Sequence, residues 1–111
     1  MFKTTENQMD DGDIPIKINS DIKDNAVNIE DILSSRGRVL ILKTLAEMEE
    51  LNISAIARIA NLNHSTTTQH LEFLKKAGLI QEKRFGRIKI FRFKNEDLKA
   101  RSLKRLFEIW D

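Results

Sequence analysis

The stretch Asn52–Ile80, NISAIARIANLNHSTTTQHLEFLKKAGLI, decides the fold of this 111-residue chain. Its first part reads as a brief helix, SAIARIA, capped by Ser54, with Ile56, Ile59 and Ala60 as the buried side. Asn61-Leu62-Asn63 is too short for anything but a tight turn, and asparagine tolerates the left-handed backbone that such turns need. Asn63 then caps a second helix from His64 to Ala77, and Gly78 stands where helices stop. Leu71, Leu74 and Ala77 recur at helical spacing. The start of this helix is odd. Ser65, Thr66, Thr67 and Thr68 are four mediocre helix formers in a row, three of them β-branched. A helix whose first exposed turns carry hydroxyls, two histidines and a glutamine has given up intrinsic stability, so those groups are candidates for contacts with a partner.

Upstream, SSRGRVLILKTLAEMEE reads as a helix capped by Ser35. Val39, Leu42, Leu45, Ala46 and Met48 lie on one broad stripe that Leu40 and Ile41 widen, so this helix belongs at the centre of the core. A short helix, IEDILS, is expected before it, with Asn28 and Asp31 in a capping arrangement and Val27 stapled to Ile32. Leu51 to Ile53 is a short extended piece. Downstream, LIQEKRFGRIKIFRFK reads as two strands around a Gly86-Arg87 turn. Ile88 and Ile90 fall on one parity of the second strand, and Phe91 and Phe93 on the other. Parity therefore leaves the buried face open. Asn95 is expected to cap a last helix, EDLKARSLKRLFEIW, whose acids sit in the first turn as the helix dipole prefers.

Charge is unevenly spread. The formal net charge is +2, but residues 1–28 carry six acids against three lysines, a net of −3. From Lys75 to Arg105 there are twelve basic residues against three acids, a net of +9. A basic half on a small domain points first to a polyanion, most simply nucleic acid, with a merely solubilising surface as the alternative. The tip KRFGRIK concentrates Lys83, Arg84, Arg87 and Lys89. No apolar run is long enough for a membrane span, and no secretion signal opens the chain. Residues 1–27 read as an acidic extension, within which Ile14–Ile18 (IPIKI) alternates as an edge strand would. The sequence has no cysteine. Disulfides, thiolate metal sites and cysteine nucleophiles are thereby excluded, in keeping with a cytoplasmic protein. No Ser/His/acid set, phosphate-binding glycine loop or carboxylate pair in an apolar setting appears, so no enzyme is expected.

A helix-turn-helix followed at once by a basic hairpin resembles the winged-helix transcriptional regulators, in particular the ArsR-like and MarR-like groups of bacteria and archaea. The matching residues are SSRGRVLILKTL, NISAIARIANLNHSTTTQHLEFLKKAGLI and EKRFGRIKIFRF. The resemblance covers roughly residues 28–94. Ala57 matches the small residue that lets the two helices approach, and Leu62 the turn residue that plugs the core. The family usually has glycine where Asn61 stands and an aliphatic residue where Thr67 stands. The resemblance implies a mostly α fold with a small β-hairpin wing, an α+β winged helix-turn-helix with a three-helix core and a flanking C-terminal helix.

It also implies that the helix from His64 lies in the major groove of double-stranded DNA, on the nucleoid. Helical spacing turns Thr67, Leu71 and Leu74, with His70 in part, toward the preceding helix. His64, Ser65, Thr66, Thr68 and Gln69 point outward as DNA contacts. Glutamine can bond an adenine edge at two points, and serine and threonine can bond bases or phosphates. Ser65 and Thr66 have a structural alternative, since each can satisfy free N–H groups in the first turn. The wing residues Lys83, Arg84, Arg87 and Lys89 would meet phosphates or enter the minor groove. Members of the ArsR-like group often sense metals. Here the cysteine ligands are absent, and His64 and His70 lie about 240° apart around a helix. No metal site and no cofactor are expected.

The last helix carries Leu98, Leu103, Leu106, Phe107, Ile109 and Trp110, an apolar face too broad for a short helix lying on solvent. It either covers the chain's own core or pairs with a second copy. The resemblance implies a homodimer in which the first and last helices join, with Leu98, Leu103, Leu106, Phe107 and Trp110 in the interface. A protein–protein module with the wing on an acidic partner is the alternative to a DNA-binding regulator.

Overall fold

In the computed structural model, which describes residues 27–111, the central helix is α2 (Arg36–Met48). Ser35 caps it as expected, its Oγ accepting the Arg38 N–H at 3.2 Å. Ile41, Leu42, Leu45 and Ala46 are buried, and α3 (Ile53–Ala60), α4 (His64–Lys76) and the sheet pack around them. Met48 is exposed rather than buried. It is the last residue of the helix and lies about 20° beyond Ile41, outside the edge of the stripe that those four residues define. Ile59 of α3 is likewise exposed, because Ile53, Ile56 and Ala60 turn inward and set a stripe that leaves it at the edge.

The short helix α1 (Ile29–Ile32) forms, but Asn28 makes no side-chain cap; its carbonyl accepts the Asp31 and Ile32 N–H groups instead. Val27 and Ile32 both join the core, as a staple would. The cap of α3 is Asn52 rather than Ser54, its Oδ1 accepting the Ala55 N–H at 2.8 Å. The extended piece before it is a strand, β1 (Glu50–Asn52), so the helix begins as soon as the strand ends. Asn61 closes α3 in the left-handed conformation, with φ 57° and ψ 49°. Asparagine thus does there what glycine does in the resembling family.

Helix α4 ends in a Schellman arrangement. The Leu79 N–H reaches the Leu74 carbonyl at 3.1 Å and the Gly78 N–H reaches that of Lys75 at 2.9 Å, with Gly78 at φ +78°. Strands β2 (Ile80–Phe85) and β3 (Ile88–Phe93) form the hairpin, and β1 pairs on the free side of β3, giving an antiparallel sheet of order β1-β3-β2. Parity is now settled: Phe91 and Phe93 are buried against the helices, and Ile88 and Ile90 look out. The turn has positive φ at Gly86 and not at Arg87, the sign pattern of a II′ hairpin, which needs glycine at its first position.

The last helix, α5 (Leu98–Trp110), starts later than expected and is capped by Asp97, whose Oδ2 accepts the Ala100 N–H at 2.9 Å. Asn95 and Glu96 form a turn instead, because the Asp97 N–H bonds the Lys94 carbonyl and the Glu96 carboxylate reaches back to Arg92. Ala100 and Leu103 are buried in the common core, and Phe107 packs against it. The Ile14–Ile18 strand and most of the acidic extension lie outside the described residues.

Candidate nucleic-acid interface

The start of α4 is held by its neighbours rather than by its own side chains. Asn63 Oδ1 accepts the Thr66 N–H at 2.7 Å. Thr67 is fully buried, and its hydroxyl donates to the Asn63 carbonyl at 2.8 Å. That carbonyl also accepts the Thr67 N–H, so the buried hydroxyl is satisfied within its own turn. With the cap supplied by Asn63, the Ser65 hydroxyl has no partner among the described residues. His64, Ser65 and Gln69 are exposed, and Thr66 and Thr68 are half-buried. Ser65, Gln69, Glu72 and Lys76 form one exposed line down the helix, and Lys76 is a cation at its far end that the motif alone did not single out.

The depth and angle of α4 are set by residues that sequence reasoning missed. Gly37 faces the turn between α3 and α4 so closely that a Cβ there would sit 3.1 Å from Leu62 Cδ1 and 3.4 Å from His70 Nε2. Leu62 plugs this gap and packs on the core. One turn of helix on, Arg38 lies flat on the Phe73 ring at 3.9 Å from its centroid. Its guanidinium also donates to His70 Nδ1 (3.4 Å) and to the Asp31 carbonyl. One arginine therefore ties α1 and α2 to α4. The spacing of Arg38 in its own helix carries no signal for this, since its α4 partners His70 and Phe73 are distant in sequence.

His70 is the structural residue its spacing suggested. Burial, and secondarily the Arg38 charge, hold its imidazole below the usual histidine range. Accepting from Arg38 at Nδ1 requires the neutral ring. The unfolded chain therefore takes up the proton first as pH falls. Stability is unaffected above the unfolded value of about 6.5 and declines below it. A His70→Gln variant is expected to lose less melting temperature than the parent between pH 7 and pH 5, measured by circular dichroism. Equal losses would show that His70 does not carry this pH dependence.

The wing cations split between two faces. Cross-strand partners share a face, so Glu82, Arg84, Lys89 and Phe91 lie on the side toward the helices, and Lys83, Phe85, Ile88 and Ile90 lie on the other. On the helix side Glu82 accepts from Lys75 of α4 at 2.8 Å and from Arg84 at 3.3 Å. The hydrogen bond to Lys75 holds the Glu82 carboxyl below its usual range, and the same bond raises Lys75. This clamp joins α4 to the wing. On the far side Lys83 is paired with Glu50 of β1 at 2.7 Å. Arg87, in the turn, and Lys89 have no acidic partner among the described residues. Nearer the core, Arg92 donates to Gln81 and to both Glu96 oxygens, and its hydrogen bond brings the Glu96 carboxyl down to about 2.

The chain lacks cysteine, His70 is engaged by an arginine, and no group of three or more His, Asp or Glu side chains converges among the described residues. Nor is any described helix long and apolar enough to cross a membrane.

Residues 35–82 match the family of bacterial regulatory proteins named arsR. Over those residues the chain is similar to an ArsR-type helix-turn-helix, and its fold is that of a winged helix. It is 34% identical over 64 residues to the cadmium resistance transcriptional regulatory protein CadC of Listeria innocua, an alignment covering 58% of this chain and 54% of that protein. The chain thus spans about half the length of the curated relatives it matches. Among solved structures, a predicted DNA-binding transcriptional regulator from E. coli superposes with a TM-score of 0.62 at 27% identity, covering 73% of this chain and 84% of that one. A homodimeric winged helix-turn-helix DNA-binding domain from Mycobacterium bovis superposes at 0.67 with 24% identity and 88% coverage of each chain.

Proposed function

We propose that this chain is a cytoplasmic, nucleoid-associated transcriptional regulator that binds double-stranded DNA as a homodimer. In this reading α4 enters the major groove and the wing rests on the phosphate backbone at the adjoining minor groove. The observation that carries it is the start of α4: capped by Asn63 and pinned by Thr67, it leaves His64, Ser65 and Gln69 exposed beside a hairpin whose Arg87 and Lys89 have no acidic partner among the described residues. Gln69 reads a base edge, Ser65, Thr66, Thr68 and His64 contact bases or the flanking phosphates, and Arg84, Arg87 and Lys89 neutralise phosphates. Lys83 adds positive field, although it is shared with Glu50. Binding needs no metal, because the thiolates of a soft-metal site are lacking.

The dimer is supported by a groove of about 610 Å³ between α1 and α5, lined by Val27, Ile29, Ile32, Leu98, Leu103 and Leu106 among others. Leu103 and Phe107 give much of their surface to the protomer's own core. Leu98, Leu106, Ile109 and Trp110 stay exposed and make up the contact that a second copy would cover.

Selection of duplexes from a random pool, followed by binding isotherms at several salt concentrations, tests the whole reading. Gln69→Ala is expected to weaken a selected site about 10- to 100-fold and random duplex hardly at all. Arg87→Ala should weaken both alike and reduce the slope of log K against log salt by about 0.9 per lost phosphate. Equal losses for Gln69→Ala on both duplexes would refute base reading by that residue. Salt-insensitive or absent duplex binding would favour a protein–protein role instead.

A further inference from the structure

The wing tip holds a feature that phosphate neutralisation leaves unexplained. Phe85 and Ile88 flank the turn, are direct cross-strand partners, and are 59% and 53% exposed. Two large apolar side chains on one face of a hairpin tip remain in water, where each forfeits the gain of burial. Nothing in the fold of the described residues calls for them. The buried end of the hairpin is the pair Ile80 and Phe93, and the tip lies five residues further out, about 17 Å at strand rise. The α1–α5 groove reaches Leu79 at the base of the hairpin, and neither Phe85 nor Ile88 lines it.

What surrounds the pair identifies the partner's chemistry. Arg84 and Lys89, each other's cross-strand partners, occupy the opposite face at the same level, and Arg87 sits in the turn itself. The tip is therefore two-sided, cationic on the face toward α4 and apolar at its outermost pair on the other, where Lys83 stands two residues back and is held by Glu50. A partner that matches both must offer anions and apolar surface a few ångströms apart. The edge of a DNA minor groove does so, since its phosphates alternate with deoxyribose carbons. Apolar side chains on minor-groove-binding elements are a general means of gripping that surface.

We propose that Phe85 and Ile88 pack against deoxyribose at the minor-groove edge while Arg84, Arg87 and Lys89 hold the neighbouring phosphates. The inference rests on the DNA-binding reading and adds a contact that salt does not screen. The rigid II′ turn at Gly86 keeps the two residues side by side, so they enter as one surface.

The separation of ionic from apolar contact gives the test. Binding of the full chain to a fluorescent mixed-sequence duplex of about 30 base pairs, three helical turns, is followed by anisotropy across a salt series. Phe85→Ser is expected to lower affinity about tenfold at every salt concentration with the log K–log salt slope unchanged. Phe85→Leu should recover most of the loss, and Arg87→Ala should reduce the slope. Because Phe85 is exposed, melting curves of the variants should match the parent. A parent that binds while Phe85→Ser binds equally well overturns the apolar contact and leaves the DNA-binding reading standing. A parent that does not bind the duplex overturns both. A Phe85→Ser chain that binds DNA normally but changes its sedimentation assigns the tip to a protein contact and refutes the proposal.

Discussion

Leu106→Glu is expected to yield a folded monomer whose affinity for duplex DNA is about 100- to 1,000-fold below that of the parent. Leu106 is 41% exposed and lines the α1–α5 groove without being part of the buried core. A glutamate there can turn its carboxylate to water in the isolated protomer, so the fold should survive. In a twofold pairing of this face the same carboxylate would be buried opposite apolar groups, and often near its own symmetry mate. That desolvation has no compensating partner. Loss of the dimer separates the two recognition helices, and the second half-site is no longer reached at the high effective concentration that the first contact provides. The number of phosphates neutralised at once also halves, which flattens the salt dependence. Trp110→Ala should act in the same direction with a smaller effect, because Trp110 is 80% exposed at the end of the helix and its removal adds no charge. Sedimentation at micromolar concentration reads the assembly, and anisotropy reads the binding. If the parent is itself monomeric, or Leu106→Glu remains dimeric, this face is not the interface.

The parts of this chain legible from sequence are those where a local rule and a tertiary demand coincide. Ser35 and Asn63 cap because each stands directly before a periodic apolar stripe, and Gly78 stops α4 because that position needs a positive φ. Thr67 was placed inside by spacing alone, and its burial follows. Ser54 and Asn95 misled because good capping residues are common and the choice between neighbours is made elsewhere. Asn52 wins over Ser54 because β3 pairs with the preceding strand and fixes where α3 can begin. Asp97 wins over Asn95 because Arg92 draws Glu96 back toward the sheet.

The candidate interface was less fully legible. Its residue types are written in HSTTTQ and KRFGRIK, but the arrangement depends on pairings between different elements. Lys75 with Glu82, Lys83 with Glu50 and Arg38 with His70 and Phe73 decide which cations remain free and how α4 is held. Within the tip, the alternation of Phe85 through Phe93 left the faces ambiguous, since a strand apolar on both parities can be buried on either. The pairing of β1 with β3 resolves it by setting Leu51 opposite Phe91 on the helix side.

Phe93→Ala shows how strongly the interface depends on that buried face. Phe93 is fully buried at the base of the wing, opposite Ile80, and its N–H donates to the Glu49 carbonyl at 3.0 Å. Glu49 has φ +73°, a conformation costly for a residue with a side chain, and it carries the chain from α2 into β1. The hydrogen bond to Phe93 helps to hold it there. Removing the ring opens a cavity in the common core beneath the sheet, at an expected cost of about 3–5 kcal/mol. A domain of this size has only about 5–15 kcal/mol of stability in all, so the variant should melt tens of degrees lower or fail to fold at 37 °C. Phe85→Ala, with the same atoms deleted at the exposed end of the hairpin, should change melting by no more than a few degrees. Thermal denaturation of the two variants side by side checks this. A Phe93→Ala chain as stable as Phe85→Ala would mean that the sheet is not anchored through this ring, and that the wing's position is set by the Lys75–Glu82 clamp alone.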